Sequence, residues 1–193
     1  MHLKRFQEIE TRYSNVASWA CWAPQTNHLK RKSGISDLTI FDPSVGHNCI
    51  QLLHTNFVLV GLNISRDDIC DGPWRNFHSD NPFNTDYKLR EIFIGTKLWG
   101  AYMTDILKDF PEPKSNKVLK YCKDYPYELD KHVQNFCDEI SFVCANQTEL
   151  VALGDLTYKI LNDRLGINYK IHKIFHYAST KTIEQMRSEV IKI

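Results

Sequence analysis

Apolar residues recur along this chain with two different periods. Near the amino terminus Leu3, Phe6, Ile9, Tyr13, Val16 and Ala20 return every three or four positions, which predicts an amphipathic helix running towards Pro24. Residues 24–48 are polar and broken by Gly and Pro, and read as a long loop with a short helix. The run Phe57-Val58-Leu59-Val60-Gly61-Leu62-Asn63 then predicts a strand over 57–62, buried on both faces of a parallel sheet. A long loop over 64–85 contains Gly72-Pro73 and Asn81-Pro82. Tyr87 to Trp99 is helical in pattern, and Ala101 to Thr104 reads as a second strand.

Residues 109–117 are a linker by composition. A helix over 127–142 places Leu129, Val133, Phe136 and Ile140 on one face. Glu149 to Gly154 is a third buried strand, followed by a helix over 155–165 that stops at Gly166. Residues 169–175 alternate as a fourth strand, and Thr180 or Thr182 opens a last helix with Glu184 in its first turn. This alternation predicts an α/β fold: a three-layer α/β/α sandwich around a short, mainly parallel four-stranded sheet. The expected organisation is a single domain over 1–193, with 1–48 a helix-and-loop extension and 49–193 the core.

Composition narrows the function classes little. A chain of 193 residues buries roughly 70% of its unfolded surface. Its 42% hydrophobic and 24% charged content is ordinary for a globular protein. No apolar run approaches the roughly 20 residues of a membrane span, and the start lacks the apolar core of a signal peptide. The expectation is a cytoplasmic monomer without membrane partners, in which the sequons at Asn63 and Asn146 are accidental. A net charge of +1 neither demands nor excludes nucleic acid; the basic run Lys30-Arg31-Lys32 reads as a solvated loop. Six cysteines include no C-x-x-C pair, so free thiols are expected, with no metal and no cofactor.

Candidate chemistry sits at strand ends. Carboxyl ends of parallel strands share one edge of a sheet, where ligands of open α/β folds bind. Asn63, Asp105 and His176 fall at three such ends although the first and last are more than a hundred residues apart. Gly61 lets the backbone turn closely there, and the loop from Gly72 to His78 brings Trp74 and Phe77.

Four segments, in order, resemble motifs of the uracil-DNA glycosylase superfamily, particularly its mismatch-specific and thymine-DNA glycosylase branch. Gly61-Leu62-Asn63-Ile64-Ser65 resembles the motif whose Asn positions the attacking water. Gly72-Pro73-Trp74 falls where the family stacks an aromatic on the extruded base. Gly100 to Asp105 resembles the strand ending in a base-reading Asn, and His176 to Thr180 resembles the carboxyl-terminal catalytic loop. The chain departs from the family with Ile64 in place of a Pro, Tyr177-Ala178 in place of Pro-Ser, and Asp105 in place of the Asn.

The resemblance implies a monofunctional, metal-independent glycosylase that hydrolyses the N-glycosidic bond of a damaged or deaminated base in DNA. It assigns Asn63 and His176 to catalysis, and Gly61, Leu62, Trp74, Phe77 and Asp105 to the extruded base. Ser65, Ser179, Thr180 and Lys181 would hold the DNA backbone. Plain readings stand beside each role: Asn63 a turn residue, Trp74 and Phe77 core plugs, Asp105 a cap, His176 a strand-end histidine bonded to backbone. A binding protein of the same fold, holding a nucleobase, nucleotide or nucleic acid without turnover, is the alternative. A serine esterase is disfavoured because Leu156 stands where Gly154-Asp155 would need a nucleophilic Ser.

Overall fold

Strand residues sort by parity onto two cores. Val58 and Val60, Tyr102 and Ile106, and Leu150 and Ala152 face one side of the sheet. Leu59, Ala101 and Met103, and Val151 and Leu153 face the other. Burial on both faces is why these segments read as continuous apolar runs. The computed structural model describes residues 1–193 apart from 28, 47, 66–71, 109, 145 and 146. The sequon at Asn146, Cys70 and part of the 64–85 loop therefore lie outside the described residues.

The sheet holds β1 (Ala17–Trp19), β2 (His54–Asn63), β3 (Ala101–Leu107), β4 (Glu149–Leu153) and β5 (Ile171–Ile174) in the spatial order β1-β3-β2-β4-β5. β3, β2, β4 and β5 run parallel, and β1 joins the β3 edge antiparallel. Helices α1 (Leu3–Tyr13), α2 (Tyr87–Phe93), α3 (Ser115–Asp124), α4 (Pro126–Val143), α5 (Asp155–Leu165) and α6 (Ile183–Val190) complete the fold. Phe6 and Ile9 of α1, Val118 of α3, Phe136 of α4 and Leu161 of α5 cover one face. Leu89, Ile92 and Phe93 of α2, with Met186 and Val190 of α6, cover the other.

Three elements differ from expectation, and the last helix opens at the second of its two candidate caps. The sheet has a fifth strand, because the amino-terminal helix ends at Tyr13 and Ala17, Ser18 and Trp19 pair with Thr104, Met103 and Tyr102. Ala17, Ser18 and Trp19 are all buried, so the strand shows no alternation to set against the helical spacing of Val16 and Ala20. Residues 17–19 thus belong to the sheet rather than to an extension. α2 stops at Phe93, where Ile94 turns out of the helix (ψ 128°) and Arg187 donates to the carbonyls of Glu91, Ile92 and Ile94. α3 begins inside the segment read as a linker; its buried stripe is Val118 and Cys122, four residues apart. The last helix is capped by Thr182, whose hydroxyl accepts from Gln185 N while the Gln185 side chain accepts from Thr182 N. Among the described residues no helix is long and apolar enough to cross a membrane.

From β2 the chain crosses to β3 on one side, then returns to β4 on the other. The connections diverge there, leaving a crevice at the carboxyl ends of β2 and β4, the usual ligand position in such sheets.

Candidate functional site

That crevice is a cavity of about 670 Å³. Gly61, Leu62, Asn63 and Ser65 line it from β2 onward, Phe77 and Asp86 from the loop before α2, and Asp105 from β3. Gly154 to Thr157 contribute the start of α5, and His176 to Ser179 the turn after β5.

Gly61 and Asp105 are paired across the parallel ladder, on the same face as Leu59 and Met103. A Cβ on Gly61 would lie 2.1 Å from Asp105 Oδ1 and 3.3 Å from the Phe77 ring, so the missing side chain is what lets the carboxylate rest on the β2 backbone. Asp105 is 3% exposed, and its Oδ2 accepts from Asn76 Nδ2 at 2.8 Å. Lys108 Nζ donates to the Asp105 carbonyl and also meets Glu139 Oε2 at 2.7 Å. Burial pushes the Asp105 carboxyl up to about 6, aided by the charges of Glu139 and Asp86 and opposed by the Asn76 hydrogen bond and Lys108.

His176 stands against Gly154, whose φ of +98° few side chains tolerate and whose absent Cβ would come 3.2 Å from His176 Cβ. The Ala178 amide donates to His176 Nδ1 at 3.1 Å. That bond requires a lone pair on Nδ1, so the neutral ring carries its proton on Nε2. Burial holds the imidazole pKa below its ordinary value and favours this neutral form. The Tyr177 ring stacks on His176 with centroids 4.5 Å apart, and Phe77 meets Tyr177 edge-on at 6.3 Å. Burial, with Asp86 and Asp105 nearby, pushes the Tyr177 phenol well above its ordinary pKa.

Phe77 has φ +64°, a left-handed conformation uncommon for a bulky residue. Trp22 Nε1 holds it by donating to the Phe77 carbonyl at 3.1 Å. Such strain, of order 1–3 kcal/mol, persists only where surroundings over-determine it. Asn63 Nδ2 donates to the carbonyls of Phe110 and Glu112 at 2.9 and 3.0 Å. The amide is thereby fixed with Oδ1 on its opposite side, an acceptor to which no described residue donates.

The cavity brings together eight of the sequence-derived candidates: Gly61, Leu62, Asn63, Ser65, Phe77, Asp105, His176 and Ser179. It omits three. Trp74 is 2% exposed in the core, its ring 5.4 to 6.1 Å from Phe6, Trp19 and Phe41 and its indole N–H on Glu10. Its aromatic bulk fills the space between α1 and the sheet, so it cannot stack on a ligand. Thr180 and Lys181 lie outside the cavity lining, with the Lys181 ammonium over the Phe175 ring.

Sequence reasoning missed Asn76, Asp86 and Tyr177 as site residues. Asn76 sits in the loop already singled out. Asp86 directly precedes α2, and its carboxylate accepts from Ser79 N in the incoming loop rather than from the first turn of the helix. Tyr177 registered only as a departure from a motif.

Together these groups offer an amide acceptor, a neutral N–H donor, a buried carboxylate and an apolar wall made by the packed rings of Phe77, which is 4% exposed, and Tyr177. Among the described residues no His, Cys, Asp or Glu group is arranged to hold a metal ion. No family model, no curated protein and no solved structure matches the chain.

Proposed function

We propose that this chain is a DNA glycosylase of the uracil-DNA glycosylase-like kind, receiving an extruded base in the cavity and hydrolysing its N-glycosidic bond. The reading is carried by one observation: Asn63 and His176, distant in sequence, line a single cavity in complementary states. Asn63 presents an acceptor and His176 a neutral donor. Glycosidic hydrolysis needs both, together with a slot that holds the base out of its stack.

As the bond to the base breaks, positive charge spreads over the sugar and negative charge over the departing base. His176 Nε2–H donates to a base carbonyl as that charge develops; loss of one such preorganised donor costs about 10²–10³ in rate in acyl-transfer enzymes. Asn63 Oδ1 accepts from a water and aims its oxygen at the sugar. An amide is too weak a base to deprotonate that water, which suits late attack on an oxocarbenium-like sugar; the proton shed as the new C–O bond forms ends on the departed base anion, so the products are a sugar hydroxyl and the neutral free base. Tyr177, backed by the buried Phe77 ring, forms the apolar wall against which the base packs. Asp105 meets the polar edge of the base. The test is single-turnover base release from single-stranded oligonucleotides carrying one lesion. Asn63→Ala should lower release at least about a hundredfold, beyond the roughly 1–3 kcal/mol of stability lost with its bonds to the Phe110 and Glu112 carbonyls, and the protein should still melt cooperatively. Release within tenfold of wild type would count against the assignment.

A second reading, base binding without turnover, is favoured by Ile64, Tyr177 and Ala178 standing where the family's rigid prolines and serine would grip the backbone. It predicts oligonucleotide binding that Phe77→Ala weakens, with no free base formed.

A further inference from the structure

The polar character of the cavity speaks to which base it takes. Its described lining includes Asp86, Asp105, Glu112 and Asp155 but no Lys or Arg. Asp86 and Asp105 are 6% and 3% exposed, and the Tyr177 ring lies close enough to feel both charges. Asp105 Oδ2 is occupied by Asn76, whereas Oδ1, resting over Gly61, takes no donor from any described residue. A carboxylate held in this way can only accept.

Base edges answer that demand differently. The edge of uracil presents acceptor, donor, acceptor, so two carbonyl oxygens would face carboxylates. Adenine and cytosine each pair one amino donor with a ring-nitrogen acceptor. Only the guanine edge sets two donors, N1–H and N2–H2, side by side; of the roughly four lone-pair sites of the Asp105 carboxylate Asn76 takes one, leaving Oδ1 and the second lone pair of Oδ2 for such a pair. The guanine O6 remains for a neutral donor such as His176 Nε2–H.

We infer that the cavity selects a guanine-type base, with Asp105 accepting from its N1–H and N2–H2 edge. The inference rests on the reading of this cavity as a nucleobase site, and it makes Asp105 the specificity-determining residue.

Calorimetric titration of the full chain with 9-methylguanine, 9-methylhypoxanthine and 1-methyluracil tests it, the methyl standing where the sugar attaches. Wild type should bind 9-methylguanine roughly tenfold or more tightly than the other two, because each leaves a buried acceptor unmatched. 9-Methylhypoxanthine differs from 9-methylguanine only by the absent amino group, so this comparison needs no variant. Asp105→Asn should reduce 9-methylguanine binding by a similar factor and raise that of 1-methyluracil. Equal binding of 9-methylguanine and 9-methylhypoxanthine, or preference for 1-methyluracil, would overturn the guanine assignment while leaving a nucleobase site in place. No binding of any of the three at millimolar concentration would overturn both.

Discussion

Replacing Asp105 with Asn removes a negative charge from a position 3% exposed while keeping an oxygen acceptor for Asn76 Nδ2. The unfolded chain loses this proton near pH 3.8 and the folded protein near 6. Between those values the folded state holds a proton that the unfolded state has released, so raising the pH disfavours folding. The deficit is absent below about pH 3.8 and complete once the pH passes about 6. A shift of about two pH units at 1.36 kcal/mol each gives about 3 kcal/mol. Lys108, Glu139, Asp86 and Tyr177, the other groups that face Asp105, are present in both proteins, so the difference between the two stability curves isolates Asp105. Urea denaturation at pH steps from 4 to 8 measures it. The variant should gain on wild type by about 2–3 kcal/mol across this range, most steeply between about pH 4 and 6 and with little further change above about 6.5. A stability difference that stays constant with pH would refute the reasoning, since the carboxylate would then be as well solvated in the fold as out of it.

Gly61→Ala should destabilise by about 1–3 kcal/mol, because its Cβ would strike Asp105 Oδ1 at 2.1 Å. Denaturant curves in an Asp105→Ala background should show most of that cost relieved; full additivity would mean the clash lies elsewhere. Trp74→Ala should cost about 3–5 kcal/mol by emptying core space between α1 and the sheet. Thermal melts check that cost, and base affinity of the fraction still folded should be unchanged, whereas Phe77→Ala should lose stability similarly and also weaken base binding by loosening the Tyr177 wall. Thr182→Ala removes the cap of α6 and should cost about 1 kcal/mol in the same melts.

Legibility in the sequence followed the range of the interactions concerned. β2, β4, α4 and α5 were readable because their apolar periods are set by a core they meet along their whole length. β1 was not, since a three-residue edge strand buried on every side carries no alternation. α3 was hidden by the Pro-rich stretch before it, and only two buried side chains mark it. At the site, residues fixed by strand ends were found, because parallel topology alone places Asn63, Asp105 and His176 on one edge. Those delivered by loops were found only in part: Ser65, Phe77 and Ser179 line the cavity, whereas Trp74 does not, and Asn76, Asp86 and Tyr177 were missed. Trp74 and Phe77 stand three residues apart with the same φ of +64° and both are buried, yet they fill different cores and only Phe77 also reaches the cavity wall. What separates them is the partner each meets, α1 for Trp74 and the Trp22 and Tyr177 rings for Phe77, and those partners lie far away in sequence. The tautomer of His176 likewise depends on the turn that brings the Ala178 amide back onto Nδ1, a geometry that the sequence does not specify.

The most direct test of the central claim is chemical identification of what the protein releases. Single-stranded DNA treated with nitrous acid, and separately with dimethyl sulfate, carries uracil, hypoxanthine, xanthine and N-alkylated guanine together. Incubation with stoichiometric protein, followed by mass spectrometry of the small-molecule fraction, reads every candidate base at once. The account predicts free base above the background set by Asn63→Ala, matched one to one by abasic sites, with guanine-type bases ahead of uracil. DNA recovered with all its lesions attached, and no free base beyond that background, would contradict it.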